Sequence, residues 1–220
     1  MDDSFSEKRV TRELRFDPSH TAVLVVDMLN EFLEDGGVMV LQEGQKLYDP
    51  VNRLLEGARA AGASVLWLCD EHPPGPDKEF EKRIPHCIKG TWGAEVVDAL
   101  KREPAELRVP KRRYSGFYGT DLDLRLRELG IQHVIVTGLV TNICVRSTVH
   151  DAFFHGYDVV VPEECVAGTS EREQASSLYD IDTHYGTVMA LKDVLAILEG
   201  SGSPVATSSG GSTRSEGGNK

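Results

Sequence analysis

The chain has 220 residues, 40% hydrophobic and 27% charged, enough for one well-buried globular domain and too short for two ordinary ones. Its 35 acidic residues against 24 basic ones leave a net charge of −11, which argues against nucleic-acid backbones and anionic membranes as partners. No apolar run approaches the roughly 18 residues of a membrane span, and the opening MDDSFSEKRVTREL has neither an apolar signal core nor a basic transit character, so a soluble cytoplasmic protein is expected.

Residues 1–18 read as a polar N-terminal extension in which Leu14 and Phe16 could pack on a core; the domain proper is expected over 19–199. Strands are predicted at TAVLVV (21–26), ASVLWLC (63–69), ELRV (106–109), HVIVTG (133–138) and DVVV (158–161). Between them, amphipathic stretches predict helices over 50–61, 93–102, 120–129 and 142–155, with a last helical region through 198. Runs of β-branched residues without polar alternation suit strands buried on both faces, and helical crossovers between them predict an α/β sandwich around a parallel sheet. No internal repeat is visible, and no G-x-G-x-x-G follows the first strand, which speaks against a dinucleotide site. Residues 200–220, rich in Gly, Ser and Thr, have too few apolar side chains to offset the entropy of ordering and are predicted to be a disordered tail.

In open parallel sheets, ligands bind beyond the C-terminal ends of the strands. Those ends here carry Asp27, Asp70 with His72, Lys111, and Thr137-Gly138, so four strands deliver polar or ionisable groups to one rim. Taken singly, each is as readily a residue that caps the following turn. The cluster Lys111-Arg112-Arg113 is too short for a nucleic-acid footprint. Cys69, Cys87, Cys144 and Cys165 form no C-x-x-C pair and no zinc-ribbon spacing, so free thiols are expected. Cys144 differs from the others by its place between a strand and a helix. With Thr141 or Asn142 as the cap it would sit in the first helical turn, where unpaired N–H groups lower a thiol pKa from about 8.5. The ordinary reading, a small buried apolar side chain, is kept for Cys69 and Cys165.

The stretch VPKRRYSGFYGTDLDLRLRELGIQHVIVTGLVTNICVRSTVHDAFFHGYDVVV (109–161) closely resembles the isochorismatase-like cysteine hydrolases, a superfamily that includes nicotinamidase, N-carbamoylsarcosine amidohydrolase and the ureidoacrylate amidohydrolases. AVLVVDMLNEF (22–32) matches the N-terminal motif of that family. The resemblance implies a three-layer α/β/α sandwich with a mostly parallel, roughly six-stranded sheet, and a catalytic triad at Asp27, Lys111 and Cys144. It also implies an oxyanion hole from the backbone N–H groups of Val140 and Cys144, and a cis peptide at Leu139–Val140. In such a site Asp27 takes the thiol proton while Lys111 keeps the local field positive.

Segment 69–95, CDEHPPGPDKEFEKRIPHCIKGTWGAE, carries Asp70-x-His72 and, fourteen residues later, His86. Such a set suits zinc, manganese or iron, although by spacing alone two histidines in a Pro-rich loop are more often surface residues. The resemblance to the nicotinamidase branch, whose metal is held by an Asp-x-His and a Pro-His, implies a divalent metal at Asp70, His72 and His86. Some members add a glutamate at the position of Glu79, for which Glu81 competes. No organic cofactor is implied. The family's substrate pocket falls on Phe32, Tyr114 and position 83, where Arg83 replaces the aromatic residue usual in nicotinamidases. Facing inward, Arg83 could pair with an anionic group; facing outward it is a surface base.

The expected activity is therefore cleavage of a small-molecule C–N amide bond through a cysteine thioester, in nicotinamidase fashion. Alternatives are an isochorismatase-type vinyl ether hydrolase, a ureido, carbamoyl or lactam hydrolase of the same superfamily, and a non-catalytic binding domain on this fold. Relatives are commonly dimers or tetramers, which implies a homo-oligomer.

Overall fold

A computed structural model describes Val10, residues 13–200 and the pair 205–206. Among these residues the strands are β1 (Glu13–Leu14), β2 (Thr21–Val26), β3 (Ser64–Asp70), β4 (Leu107–Lys111), β5 (His133–Leu139), β6 (Asp158–Pro162), β7 (Val166–Ala167), β8 (Thr187–Met189) and β9 (Val205–Ala206). The helices are α1 (Asn30–Leu33), α2 (Tyr48–Ala61), α3 (Leu122–Glu128), α4 (Arg146–Phe154), α5 (Glu171–Asp180) and α6 (Leu191–Leu198).

The main sheet runs in the order β4-β3-β2-β5-β6-β8, with the short β7 paired to the end of β5. Every pairing in it is parallel. All six residues of the central β2 are buried, and they alternate between two cores. Val23 and Val25 pack on the side of α2 and α6, with Val51, Leu54, Leu55 and Val194. Ala22, Leu24 and Val26 pack on the side of α3 and α4, with Leu122, Leu126, Val149 and Ala152. The result is the expected three-layer α/β/α sandwich, because a parallel sheet must have both faces covered.

Helix α2 follows the sequence pattern closely. Val51, Leu54, Leu55 and Ala58 are buried at the spacing of one helical stripe, and Gly62 ends the helix at φ 83° with its N–H directed to the carbonyls of Ala58 and Arg59. β4 contains Pro110, which lacks an N–H; the strand lies at the sheet edge, where that donor is not needed.

Three expectations need correction. No helix spans 93–102. A single 3-10 turn at Trp92–Ala94 is followed by chain that bonds backbone to backbone with the segment after β2, through Asn30 N–H to Glu95 O and Val97 N–H to Met28 O. Ala94, Val97 and Leu100 are buried at intervals of three, so burial against an extended neighbour imitates helical spacing. The last helical region is two helices separated by a π-helical turn, Ile181–Tyr185, and by β8, which closes the sheet edge beside β6. The helix expected over 142–155 begins as a π-helical turn, Thr141–Val145, before α4.

Leu14 and Phe16 are buried in the core, and β1 pairs antiparallel with β9. The remainder of the predicted extension, and the predicted tail beyond residue 200 apart from β9, lie outside the described residues.

Gly138, on β5 at φ 105°, approaches β2 so closely that a Cβ would lie 2.0 Å from Val26 O, whereas a Cβ on Gly62 would meet nothing within 4 Å. Gly62→Ala is therefore expected to cost about 1–2 kcal/mol, the left-handed backbone penalty alone. Gly138→Ala should cost far more, or abolish soluble expression, because two strands must part. Urea unfolding of both variants checks the order; equal costs would show that the strand contact is not rigid.

Candidate active site

β2 ends at Val26, and Asp27 leaves it in the left-handed region at φ 51°, its N–H still bonded to Leu68 O of β3. This turn aims the carboxylate along the rim of the sheet. Asp27 Oδ1 accepts from the Asp70 N–H at 2.8 Å, and Oδ2 lies 2.8 Å from Lys111 Nζ. Lys111 ends β4 opposite Asp70, which ends β3, and is 1% exposed. Its ammonium also lies 3.8 Å from Cys144 Sγ and 3.8 Å from Asp70 Oδ1. Cys144 and Asp27 also interact electrostatically. The structure thus gathers Asp27, Lys111 and Cys144, expected from three distant segments, around one buried ammonium.

Their electrostatics follow from burial and mutual charge. Burial pushes Asp27 up to about 6, against the opposing pull of Lys111. Burial would lower Lys111, but Asp27, Cys144 and Asp70 together hold it well above the ordinary lysine value. Burial also pushes Cys144 well above the ordinary thiol, with Lys111 opposing and the two carboxylates adding to the rise. At rest the site therefore holds a neutral thiol, an ammonium and a carboxylate able to accept a proton near neutrality.

This differs from the expectation of a thiol lowered by a capped helix start. Cys144 does lie in the opening π-helical turn, but neither Thr141 nor Asn142 caps it. Thr141 Oγ1 is buried without a hydrogen-bond partner, and Asn142 is engaged elsewhere. Its Nδ2 donates to Thr169 Oγ1 and its Oδ1 accepts from the Thr169 N–H, both at 3.0 Å, clasping the Cys144 turn to the loop after β7. Desolvation outweighs whatever the helix start contributes. Thr137, expected at the rim, lies inside β5 and donates to Cys165 O. The Leu139–Val140 peptide is cis.

Asp70, His72 and His86 are all buried, and their potential ligand atoms lie within 4.8 Å of one another, so this group could hold a metal ion. His86 Nε2 is 3.1 Å from Asp70 Oδ2, and His72 Nε2 is 3.4 Å from Asp70 Oδ1 without forming a proper hydrogen bond. Each ring is oriented from behind: His72 Nδ1 faces Asp77 Oδ2 at 3.0 Å, and His86 Nδ1 faces Ile84 O at 2.7 Å. With Nδ1 donating in both, the Nε2 lone pairs converge on Asp70, the arrangement a cation needs. Phe80 packs against both rings, tilted to His72 and edge-on to His86, at centroid distances of 4.7 and 5.6 Å. Glu79 Oε1 lies 3.8 Å from His86 Nε2, whereas Glu81 is exposed and paired with Lys78, which favours Glu79 of the two candidates. Burial would raise Asp70, but Lys111, His72 and His86 outweigh it and hold the carboxyl well below the usual range.

A cavity of about 300 Å³ opens onto this rim, and the expected pocket residues Phe32, Arg83 and Tyr114 line it together with Cys144 and Val140. Three contributors carry no clear signal in the sequence. Asp77 accepts from His72, Arg112 and Arg113 at 2.8–3.0 Å, so it ties the His72 loop to the residues after Lys111. Glu31 accepts from the Val38 and Cys87 N–H groups at 2.7 and 2.9 Å, fixing the pocket loop at 39–41 and the His86 segment together. Thr169 also lines the cavity. Glu31 at least falls inside the AVLVVDMLNEF motif; Asp77 and Thr169 sit in loops whose partners are distant in sequence.

The sequence profile of the Isochorismatase domain matches residues 21–193. A ureidoacrylate amidohydrolase from Enterobacter sp. (strain 638) is 34% identical over 207 residues, covering 82% of this chain and 90% of the relative. The crystal structure of N-carbamoylsarcosine amidase from Thermoplasma acidophilum is 34% identical with a TM-score of 0.69, covering 78% of this chain and 96% of the other. A pyrazinamidase of Pyrococcus horikoshii, solved in complex with zinc, is 30% identical with a TM-score of 0.72, covering 78% and 99%. The chain belongs to the isochorismatase family.

Removing Asp77 frees the His72 ring and separates the candidate metal cluster from Arg112 and Arg113. Asp77→Ala should weaken zinc binding about 10–100-fold, measured by competition with a chromogenic chelator and with circular dichroism unchanged. Equal affinities for the two proteins would detach Asp77 from the cluster.

Proposed function

We propose that the chain is a cysteine amidohydrolase that cleaves a C–N bond of a small amide or ureide through a thioester on Cys144, within a catalytic domain spanning about 19–199. The observation that carries the reading is the contact of the half-buried Cys144 with the buried Lys111 and Asp27, with Nζ 2.8 Å from the carboxylate and 3.8 Å from the sulfur.

In this mechanism Asp27, ionised above about pH 6, takes the thiol proton as sulfur attacks the carbonyl carbon. Lys111 neutralises the thiolate and carboxylate that would otherwise repel each other. The carbonyl oxygen gains the negative charge and accepts from the N–H groups of Val140 and Cys144 at the cavity wall. Collapse expels the amine or ammonia, which leaves with the proton from Asp27. A water then gives its proton to Asp27 and attacks the thioester, releasing the acid and restoring the thiol. Asp70, His72 and His86, with Glu79 beside them, would hold zinc, manganese or iron, which when bound supplies a Lewis acid for substrate or water.

The comparisons support a ureido or carbamoyl substrate over nicotinamide, since a ureidoacrylate amidohydrolase and an N-carbamoylsarcosine amidase are each 34% identical to the chain. Arg83 in place of the nicotinamidase aromatic residue points the same way.

Product release from nicotinamide, pyrazinamide, ureidoacrylate, N-carbamoyl compounds and lactams, compared between wild type and Cys144→Ala, tests the reading. Loss on the order of 10⁴-fold or more is expected in the variant; surviving activity would sink the thioester. The pH profile is a second check. Because Asp27 acts in its ionised form, kcat/KM should rise with pH, reach half its plateau near pH 6 and fall about tenfold per unit below that. A flat profile from pH 5 to 8 would remove Asp27 as the base.

A further inference from the structure

Arg83 is an exposed arginine. It follows the 3-10 turn Lys78–Glu81, with its N–H on Glu79 O at 2.9 Å, and it lines the same cavity as Cys144. Most arginines elsewhere in the described chain, including Arg59, Arg108, Arg112, Arg113 and Arg146, are ion-paired with carboxylates, whereas Arg102 bonds only a backbone carbonyl. Among the described residues, no carboxylate pairs with Arg83. Of the two acids just before it, Glu81 pairs with Lys78, and Glu79, also on the cavity wall, turns toward His86. What the guanidinium does meet is the hydroxyl of Tyr114, also on the cavity wall. Arg83 is exposed while lining the cavity, so water solvates its charge at rest and an anion entering the cavity can reach the guanidinium.

The rest of the cavity sharpens the point. Near Cys144 it carries the carboxylates of Asp27 and Asp70, which share the one Lys111 ammonium, and much of the remaining wall is apolar, including Phe32, Leu41 and Ile143. A substrate anion is attracted to Arg83 and disfavoured beside Asp27, which favours an orientation with its uncharged end at the sulfur. A guanidinium fork with a phenol beside it presents a planar donor set suited to a carboxylate. The volume, about 300 Å³, lies at the small end of ligand pockets and suits a compact molecule.

We infer that Arg83 and Tyr114 form a carboxylate subsite, and that the substrate is a small ureido or carbamoyl acid whose scissile carbonyl reaches Cys144 while its carboxylate rests on Arg83. The inference rests on the amidohydrolase reading above and deepens it by assigning the substrate's charge.

Matched probes test it. N-carbamoyl-β-alanine and propylurea share a ureide on a three-carbon chain and differ in the carboxylate. Wild type should prefer the acid by tenfold or more in kcat/KM, with most of the difference in KM, and Arg83→Gln should bring that ratio close to one. Arg83→Lys should keep part of the preference, and Tyr114→Phe should reduce it by a smaller factor. In parallel, calorimetry with Cys144→Ala should show N-carbamoyl-β-alanine binding that weakens about tenfold or more when Arg83→Gln is added. Turnover with an acid-to-neutral ratio near one, or a ratio untouched by Arg83→Gln, would overturn the subsite while leaving the hydrolase reading intact. Arg83-dependent binding without turnover of any ureide or amide would support the subsite and sink the hydrolase reading. Absence of both would overturn the subsite.

Discussion

The site is organised around an ammonium ion removed from water. Lys111 is almost fully buried, and its charge is tolerable there only because Asp27, Asp70 and the Cys144 sulfur surround it. That requirement dictates much of the surrounding architecture. The three strands that end in or just before Lys111, Asp70 and Asp27 are adjacent in the sheet, and neighbouring strands lie about 4.8 Å apart. Parallel pairing in that order brings one base and two acids into contact without any long side chain having to search for its partner. A slip of one residue would turn the functional side chains to the other face.

Asp70 joins two pieces of chemistry. One of its oxygens lies near Lys111 and His72, the other near His86, so the proton-transfer group and the candidate metal group share a carboxylate. Asp77 makes a second link through His72 on one side and Arg112 and Arg113 on the other. Within the proposed mechanism, occupancy of the histidine cluster would therefore alter the field at Lys111, and with it the balance between thiol and carboxylate.

The strand cores and the residues at their C-terminal ends were readable because parallel strands announce themselves as apolar runs and place their last residues on one rim. Asp27, Asp70 and Lys111 fall there by that rule alone. What escaped depended on tertiary partners. The three-residue spacing of Ala94, Val97 and Leu100 looks helical, yet their backbone bonds to residues 28–30. β8 is three residues long between helical segments, too short for a periodicity. Asn142 had every local reason to cap a helix, but its partner is Thr169 in a loop that no nearby pattern reveals. The direction of the Cys144 shift is not legible in the sequence for the same reason: helix position is local, whereas desolvation belongs to the assembled fold.

The clasp between Asn142 and Thr169 has a mechanical consequence. It holds the turn bearing Cys144 to the wall that follows β7, so these two parts of the cavity must travel as one body. The other borders of the cavity are the loop at 39–41 and the segment carrying Glu79 and Arg83. Glu31 bridges the first of these to the backbone at Cys87, beside His86. That border of the pocket is thus tied to the same framework that carries the histidines, while the sulfur is held to the opposite wall.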